Sequence, residues 1–549
     1  MKIALAQLNF HIGNFSQNRE KIILAIKRAK TENADLVVFS ELSVCGYHPN
    51  DLLERKEFNQ WVRESIELII VECKGIAAII GAPTINTSKK GKKLFNSALF
   101  INNGRIEHVV HKTLLPTYDI FDEYRYFEPN AVFETVDFKG KKLAITICED
   151  LWDDQPTNNS FSKSSLYVTS PLKELNKHKP DLVINIAASP FSYAQETTRK
   201  GVLAKNALNY NLPIVYVNQT GAHAELVYDG GSMVLNANGE VEHELAYFNE
   251  DFRIVDIDEL GAKPLQPEQS KIEKIHNALV LGIHDYFHKT GLKTATLGLS
   301  GGLDSAVVLT LAVRALGAEN VRVLLMPSKY SSDHSVNDAE ILARNLGVQF
   351  QTVPIQSIVD TFEKALAPLF GNLPPDVTEE NIQARTRGTL LMALSNKFGN
   401  ILLNTSNKSE SAVGYGTLYG DMNGGLSVIG DVYKTDVFRL ARFINSQSEI
   451  IPENTIVKPP SAELRPDQKD SDSLPDYNLL DQILYKYIEL NLSPSEIIED
   501  GFDPDMVHKT VRMVNANEFK RFQSPPVIRL STKSFGFGRK MPLVARYNG

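Results

Sequence analysis

Residues 294–316 read TATLGLSGGLDSAVVLTLAVRAL, and their centre, Ser300-Gly301-Gly302-Leu303-Asp304-Ser305, decides the fold of the second half of the chain. The run TATLGL (294–299) is short, apolar and β-prone, whereas AVVLTLAVRAL (306–316) carries a continuous helical apolar face. The hexapeptide therefore lies on a tight turn from a buried strand into a helix N-terminus. Unpaired N–H groups and the helix dipole favour an anion there. Gly301 and Gly302 let the backbone come close to that anion, and Ser300 and Ser305 add hydroxyl donors. Asp304 adds negative charge where a phosphate binds, which makes sense only if a cation such as Mg2+ bridges the two. No Lys follows the glycines, so this is not a GxxxxGK[ST] loop. The competing reading is a plain Gly-containing turn, which the added Asp and Ser disfavour.

A chain of 549 residues is too long for one ordinary core and points to two large domains. Hydrophobic content of 43% and charged content of 23% are those of a globular protein. A net charge of −8 argues against a nucleic-acid partner held by a general basic surface. The start, MKIALAQLNF, lacks the apolar region and cleavage site of a signal peptide. No apolar stretch reaches the roughly 18 residues of a membrane span, so no membrane partner is expected. Three cysteines, Cys45, Cys73 and Cys148, are too few for a disulfide framework and fit a reducing cytoplasm.

The segment ELGAKPLQPEQS (259–270) reads as a linker, and we set the boundary between residues 1–262 and 263–549. A helix follows it, with Ile272, Ile275, Leu279, Ile283 and Phe287 on one face and Gly291 as its stop. Upstream, strand-like apolar runs recur: DLVVFS, IAAIIGA, KLAITI, DLVINIAA and PIVYVNQ. Helix-like segments such as residues 18–33 lie between some of them, which describes a layered α/β domain. Downstream, TATLGLS, VRVLLMPS (321–328) and NILLNTS (400–406) alternate with helices, as in a doubly wound parallel sheet with ligands at the strand C-termini. The Pro- and charge-rich stretch 457–477 reads as a mobile lid, with a plain surface loop as the alternative.

Three reactive residue types stand just past apolar runs in the first domain. Glu41 follows DLVVFS, Lys112 follows HVVH, and Cys148 follows KLAITI. Singly, each is more often an inert thiol, a solvated acid or a snorkelling lysine. Together they match a chemical need. A thiol attacking a carbonyl needs a base such as Glu41, and the resulting oxyanion needs a fixed cation such as Lys112. Glu149 and Asp150 crowd acids beside the thiol and raise its pKa unless the lysine offsets them. Cys45 and Cys73 have no such setting and read as structural. In the second domain, Asn381 and Arg385 lie four apart on one helix face, suited to a phosphate or ribose unless that face is simply exposed. Thr405 and Glu410 follow NILLN at the ligand-bearing end of its strand, where Glu410 could complete Mg2+ coordination with Asp304.

SGGLDS resembles the pyrophosphate loop of enzymes that cleave ATP to AMP and pyrophosphate. Glu41 in FSEL, Lys112 in HKTLLPTYDIFDE and Cys148 in ICEDLW resemble the triad of the nitrilase superfamily in its glutamine-amidase branch. Together with ENIQARTRG (380–388), NTSNKSE (404–410), YGTLYGDMNGGLSVIGDVYKTDV (415–437) and LSTKSFGFGRKMP (530–542), the chain resembles the glutamine-dependent NAD+ synthetase family end to end. The resemblance implies a nitrilase-like four-layer αββα sandwich followed by an adenine-nucleotide α-hydrolase-like domain. It makes Cys148 the nucleophile, Glu41 the proton acceptor and Lys112 the oxyanion partner. It assigns glutamine contacts to Tyr118, Glu123 and Ser189, and to position 195, where Gln195 replaces the Lys, Arg or Asn expected. ATP contacts fall at Gly298, Leu299, Ser300, Gly301, Gly302, Leu303, Asp304, Ser305 and Thr405. Deamido-NAD+ contacts fall at Asn381, Arg385, Glu410 and Lys533, and Mg2+ at Asp304 and Glu410. The implied protein is a homo-oligomer that amidates deamido-NAD+ with ammonia from glutamine, passed in a protected way between the domains. The alternative is a nitrilase-type amidase that feeds amidation of a different adenylated acceptor.

Overall fold

The computed structural model of the chain describes residues 1–153, 166–261, 267–466, 468–545 and 547. Its contacts divide the chain into two compact units, Met1–Glu268 and Gln269–Gly549. The boundary expected between residues 262 and 263 lies outside the described residues.

The first unit is built on two six-stranded sheets. One runs in the order 251–256, 2–7, 36–39, 77–85, 94–102, 105–111, with a parallel centre (2–7, 36–39, 77–85) and antiparallel flanks. The other runs 241–244, 233–235, 214–218, 182–187, 141–147, 136–138, again parallel at its centre. Alternation along each strand sorts its side chains. Ile3, Leu5, Leu36, Val38 and Ile79 pack with Leu143, Ile145, Ile184 and Val215 of the second sheet. Their neighbours Ala4, Val37, Phe39 and Ile80 pack instead with Ile22, Ile26, Val62 and Ile69 of the helices Phe15–Thr31 and Lys56–Glu72. On the second sheet, Leu172, Leu203 and Ala207 of the helices Pro171–Asn176 and Gln195–Tyr210 join the same core. The result is the αββα sandwich. Its central strands are covered on both faces, which is why LVVF and LVINIA read as unbroken apolar runs.

The second unit holds a five-stranded, wholly parallel sheet in the order 349–352, 321–325, 295–298, 401–404, 426–427. The chain winds outward from 295–298 in one direction, then crosses back to 401–404 on the other side. That reversal is a topological switch point, where a parallel sheet opens a crevice at its strand C-termini. The loop 299–302 and Thr405 leave the sheet at this place. Helix Lys271–Thr290 has a Ser270 cap on the Glu273 N–H and stops at Gly291, whose φ of +75° suits only glycine without strain. Among the described residues, no helix is long and apolar enough to cross a membrane.

Candidate active sites

In the first unit, Glu41, Lys112 and Cys148 stand just beyond the strands 36–39, 105–111 and 141–147. The first two strands belong to one sheet and the third to the other, so the facing sheets carry the acid and amine opposite the thiol turn. Lys112 Nζ donates to Glu41 Oε1 and to Glu123 Oε1, each at 2.7 Å, with all three side chains sealed from solvent. Asn96 Nδ2 also donates to Glu41 Oε1 (2.7 Å), the Ala188 N–H donates to Oε2 (3.1 Å), and Tyr47 donates its hydroxyl to Glu123 (2.6 Å). Burial opposes the Lys112 charge, but Glu123 and Glu41 overcome it and hold the ammonium well above the usual lysine range. Burial pushes Glu41 above the usual carboxylate range; Lys112 opposes that and Glu123 adds to it. The acid is therefore a better proton acceptor than a solvated glutamate.

Cys148 adopts φ +43°, a left-handed conformation that costs a residue with a Cβ and turns its side chain out of the strand line. Burial pushes its thiol well up, Glu41 adds to the push, and Lys112 offsets it only in part. The resting thiol stays protonated and needs a base. Asp150 braces the turn, accepting the Thr113 and Leu114 N–H groups on one oxygen and the Ile147 N–H on the other. Glu149 accepts the hydroxyls of Tyr118 (2.8 Å) and Tyr167 (2.9 Å), and burial pushes it up to about 7. Ser189 is buried, with its N–H on Asn218, next to the Ala188 amide that touches Glu41. Gln195 opens the helix Gln195–Tyr210 half-buried, and among the described residues its side chain has no hydrogen bond to this group. Cys45 and Cys73 are free, buried core thiols, pushed up by burial.

Asn96, Tyr47 and Tyr167 escaped the sequence reading. Asn96 had a signal: Asn-Ser interrupts the otherwise apolar strand LFNSALFIN. The two tyrosines had none, because Tyr is common in cores.

In the second unit, strand Ala295–Gly298 turns through residues 299–302 into helix Leu303–Leu316. Ser300 Oγ accepts the Gly302 N–H (3.2 Å) and lies 3.2 Å from Ser305 Oγ. Gly301 has φ +79°, and a Cβ there would sit 2.0 Å from the Ser335 carbonyl oxygen. Gly302 has an ordinary φ of −81°, so only Gly301 is conformationally required. Two cavities open at the switch point. One, of about 240 Å³, is lined by Gly298, Leu299, Ser300, Ser305 and Thr405 against apolar walls of Met326, Leu391 and Leu402. The other, of about 220 Å³, is polar and includes Ser300, Gly302, Leu303, Asp304, Ser305, Thr405, Glu410 and Lys434. An apolar slot suits a flat base and the polar cavity suits phosphates.

Lys434 Nζ donates to Asp304 and lies 3.4 Å from Glu410 Oε1, while Asn407 Nδ2 donates to the other Asp304 oxygen (3.0 Å). Burial pushes Glu410 up to about 8 against the pull of Lys434, with Asp304 and Asp470 adding to the push. This spot is short of positive charge, which fits a divalent cation. Among the described residues, no group of three or more metal-ligating side chains exists. A cation on Asp304 and Glu410 would thus take its other ligands from phosphates and water, the usual habit of Mg2+.

The remaining predicted contacts line neither cavity. Asn381 accepts the Thr417 hydroxyl (2.7 Å) and exposed Arg385 donates to the Leu418 carbonyl (3.2 Å), so the two do share a helix face. Lys533 offers its carbonyl to the buried Lys408 ammonium (3.0 Å). Arg387, two residues past Arg385, does line the apolar cavity and donates to the Met326 carbonyl (3.1 Å). From the stretch read as a lid, Ala462 and Glu463 line both cavities, and Glu463 accepts the hydroxyls of Ser332 and Ser335.

The carbon-nitrogen hydrolase family model matches residues 2–263, and the NAD synthase model matches residues 275–524. The chain is 46% identical to the glutamine-dependent NAD(+) synthetase of Synechocystis, over 100% of this chain and 99% of that protein. It is 43% identical to that of Acinetobacter baylyi, over 99% and 98%. The solved structure of the Acinetobacter baumannii glutamine-dependent NAD+ synthetase in complex with ADP superposes with a TM-score of 0.77 at 41% identity, over 99% of this chain and 98% of that one. A Cytophaga hutchinsonii structure of the same description reaches 0.83 at 21% identity, over 100% and 98%, a likeness of fold alone. The chain belongs to the glutamine-dependent NAD(+) synthetase family.

Proposed function

We propose that the first unit hydrolyses glutamine at Cys148 and the second amidates deamido-NAD+ with the released ammonia, at the expense of ATP. The observation that carries the amidase half is the sealed Glu41–Lys112–Glu123 arrangement beside a thiol held at positive φ. Glu41 takes the Cys148 proton and the thiolate attacks the side-chain amide carbon of glutamine. The oxyanion that forms meets the Lys112 ammonium, kept charged by two carboxylates. Glu41 returns the proton to the leaving ammonia, then deprotonates the water that cleaves the thioester to glutamate. Tyr118, Glu123, Ser189 and Gln195 are the proposed glutamine contacts.

In the second unit, the nicotinate carboxylate attacks the α-phosphorus of ATP and pyrophosphate departs. Ammonia then displaces AMP from the acyl adenylate and NAD+ results. Gly298 to Ser305 and Thr405 hold ATP, and Lys434 adds a cation beside Asp304. Asn381, Arg385, Glu410 and Lys533 are the proposed dinucleotide contacts. Asp304 and Glu410 would hold Mg2+, which supplies charge neutralisation on the pyrophosphate. Three free, buried thiols support a reducing, cytoplasmic setting, and a homo-oligomer is part of the same proposal.

The test is incubation with ATP, Mg2+, deamido-NAD+ and glutamine labelled with nitrogen-15 at the side-chain amide. Labelled NAD+, AMP and glutamate in equal amounts are expected. ADP as product, or AMP release indifferent to deamido-NAD+, would overturn the reading.

A further inference from the structure

Asn96 is wholly buried in the strand Leu94–Asn102 and holds both the acid and the amine of the thiol site. Its Nδ2 donates to Glu41 Oε1 at 2.7 Å, while its backbone carbonyl accepts the Lys112 N–H at 2.8 Å. We infer that Asn96 is a positioning residue that fixes the Glu41 carboxylate so that Oε2, not Oε1, takes the proton of Cys148. This inference rests on the proposed function and specifies its first proton transfer.

The reason is a count of lone pairs. A carboxylate offers about four acceptor sites, two on each oxygen. Oε1 uses both, one on Lys112 Nζ and one on Asn96 Nδ2. Oε2 accepts only the Ala188 N–H among the described residues, which leaves one site open. As the S–H bond of Cys148 breaks, the proton bonds to that open site and the sulfur pair attacks the amide carbon. Without Asn96 the two oxygens become more alike and the carboxylate is free to rotate.

The amide orientation carries the same message. Reversing it would set a carbonyl oxygen against a carboxylate. In the observed orientation Asn96 Oδ1 is left with no donor among the described residues.

The groups that face this carboxylate are Lys112 and Glu123 from the segment after strand 105–111, Cys148 from the turn after 141–147, and Tyr47 from the segment after 36–39. Removing Asn96 leaves all of them in place and withdraws one hydrogen bond from ionised Glu41. The carboxylate then protonates more readily, and the acidic limb of the pH profile moves to higher pH.

Glutamate release from glutamine should be followed with the full chain carrying Asn96→Ala and, separately, the near-isosteric, uncharged Asn96→Leu. Cys148→Ala serves as the control. In both Asn96 variants kcat/KM should fall about 10- to 100-fold, the range for one hydrogen bond to a charged group. KM for glutamine should stay near wild type, and the acidic limb should rise by about one pH unit. Asn96→Ser, read by the pH dependence of Cys148 alkylation with iodoacetamide, supplies the same limb if either variant does not fold. A packing role predicts that the near-isosteric Leu restores activity with the limb unmoved, and that result would overturn the inference. Glutamine hydrolysis by Cys148→Ala would instead sink the assignment of the nucleophile.

Discussion

Replacing Cys148 by Ala and by Gly separates its chemistry from its backbone strain. Alanine removes one buried sulfur, a loss of about 1 kcal/mol, and leaves the charges alone because the resting thiol is neutral. Cys and Ala both carry a Cβ at φ +43°, so both bear the left-handed penalty of about 1–2 kcal/mol. Glycine relieves that penalty, but forfeits a methyl contact of about 0.8 kcal/mol and loses about 0.5–1 kcal/mol through unfolded-state entropy. The gain and the losses nearly cancel. Cys148→Gly should thus be within about 1 kcal/mol of Cys148→Ala, a difference of about 2–4 °C in melting temperature for a unit of this size. Both variants should lose glutamine-driven NAD+ formation by at least about 10⁴-fold, the order expected when a covalent nucleophile is removed. Synthesis from ammonium chloride should persist, since no later step uses the sulfur. The assays are NAD+ formation with each nitrogen source in parallel and a thermal melt. A Gly variant more than about 2 kcal/mol below the Ala variant would refute the strain argument. Glutamine-driven activity in either variant would refute the nucleophile assignment.

Glu149 is pushed up to about 7, above its ordinary 4.5, so its ionisation disfavours the folded state as pH rises from about 4.5 through 7. Glu149→Gln should therefore stabilise the fold at pH 8 by at most about 3.4 kcal/mol, at 1.36 kcal/mol per pH unit, seen as a higher melting temperature, and change little at pH 4.5. An equal shift at both pH values would contradict the burial account. Gly301→Ala should abolish NAD+ formation with either nitrogen source, because its Cβ meets a backbone oxygen at 2.0 Å. Gly302→Ala, at ordinary φ and facing only the Ser300 hydroxyl at 3.2 Å, should retain measurable synthesis; equal loss at both positions would refute the distinction. Arg387→Ala should raise the KM for ATP at least about tenfold, the loss of one charge-assisted contact. Arg385→Ala should leave the KM for ATP alone and raise that for deamido-NAD+; the reverse pattern would exchange their roles.

Much of the fold was legible because its signals are local. The turn at Ser300–Ser305 combines a β-prone run, two glycines and a helix face within one stretch, and the structure has a strand to Gly298 and a helix from Leu303. The runs DLVVFS, KLAITI and DLVINIAA appear as the strands 36–39, 141–147 and 182–187. Short antiparallel strands such as 136–138 and 233–235 were not legible, since three residues carry no period and owe their conformation to the neighbouring strand. The partners of the reactive groups were hidden for a related reason. Asn96 lies 55 residues from Glu41, and Lys434 lies 130 from Asp304, so no spacing connects them.

The sequence by itself determined which reactive residue types stand at which strand ends, and the layered α/β architecture. These follow from apolar periodicity and from glycine and proline conformation, which act over a few residues. Tertiary structure alone decided the ionisation states, because charge depends on burial and on partners brought in from distant strands. It sealed Lys112 between two carboxylates, pushed Glu410 up to about 8 beside Lys434, and put Arg387 rather than Arg385 against the apolar cavity. Electrostatic energy grows as water is excluded, and only the packed chain excludes it.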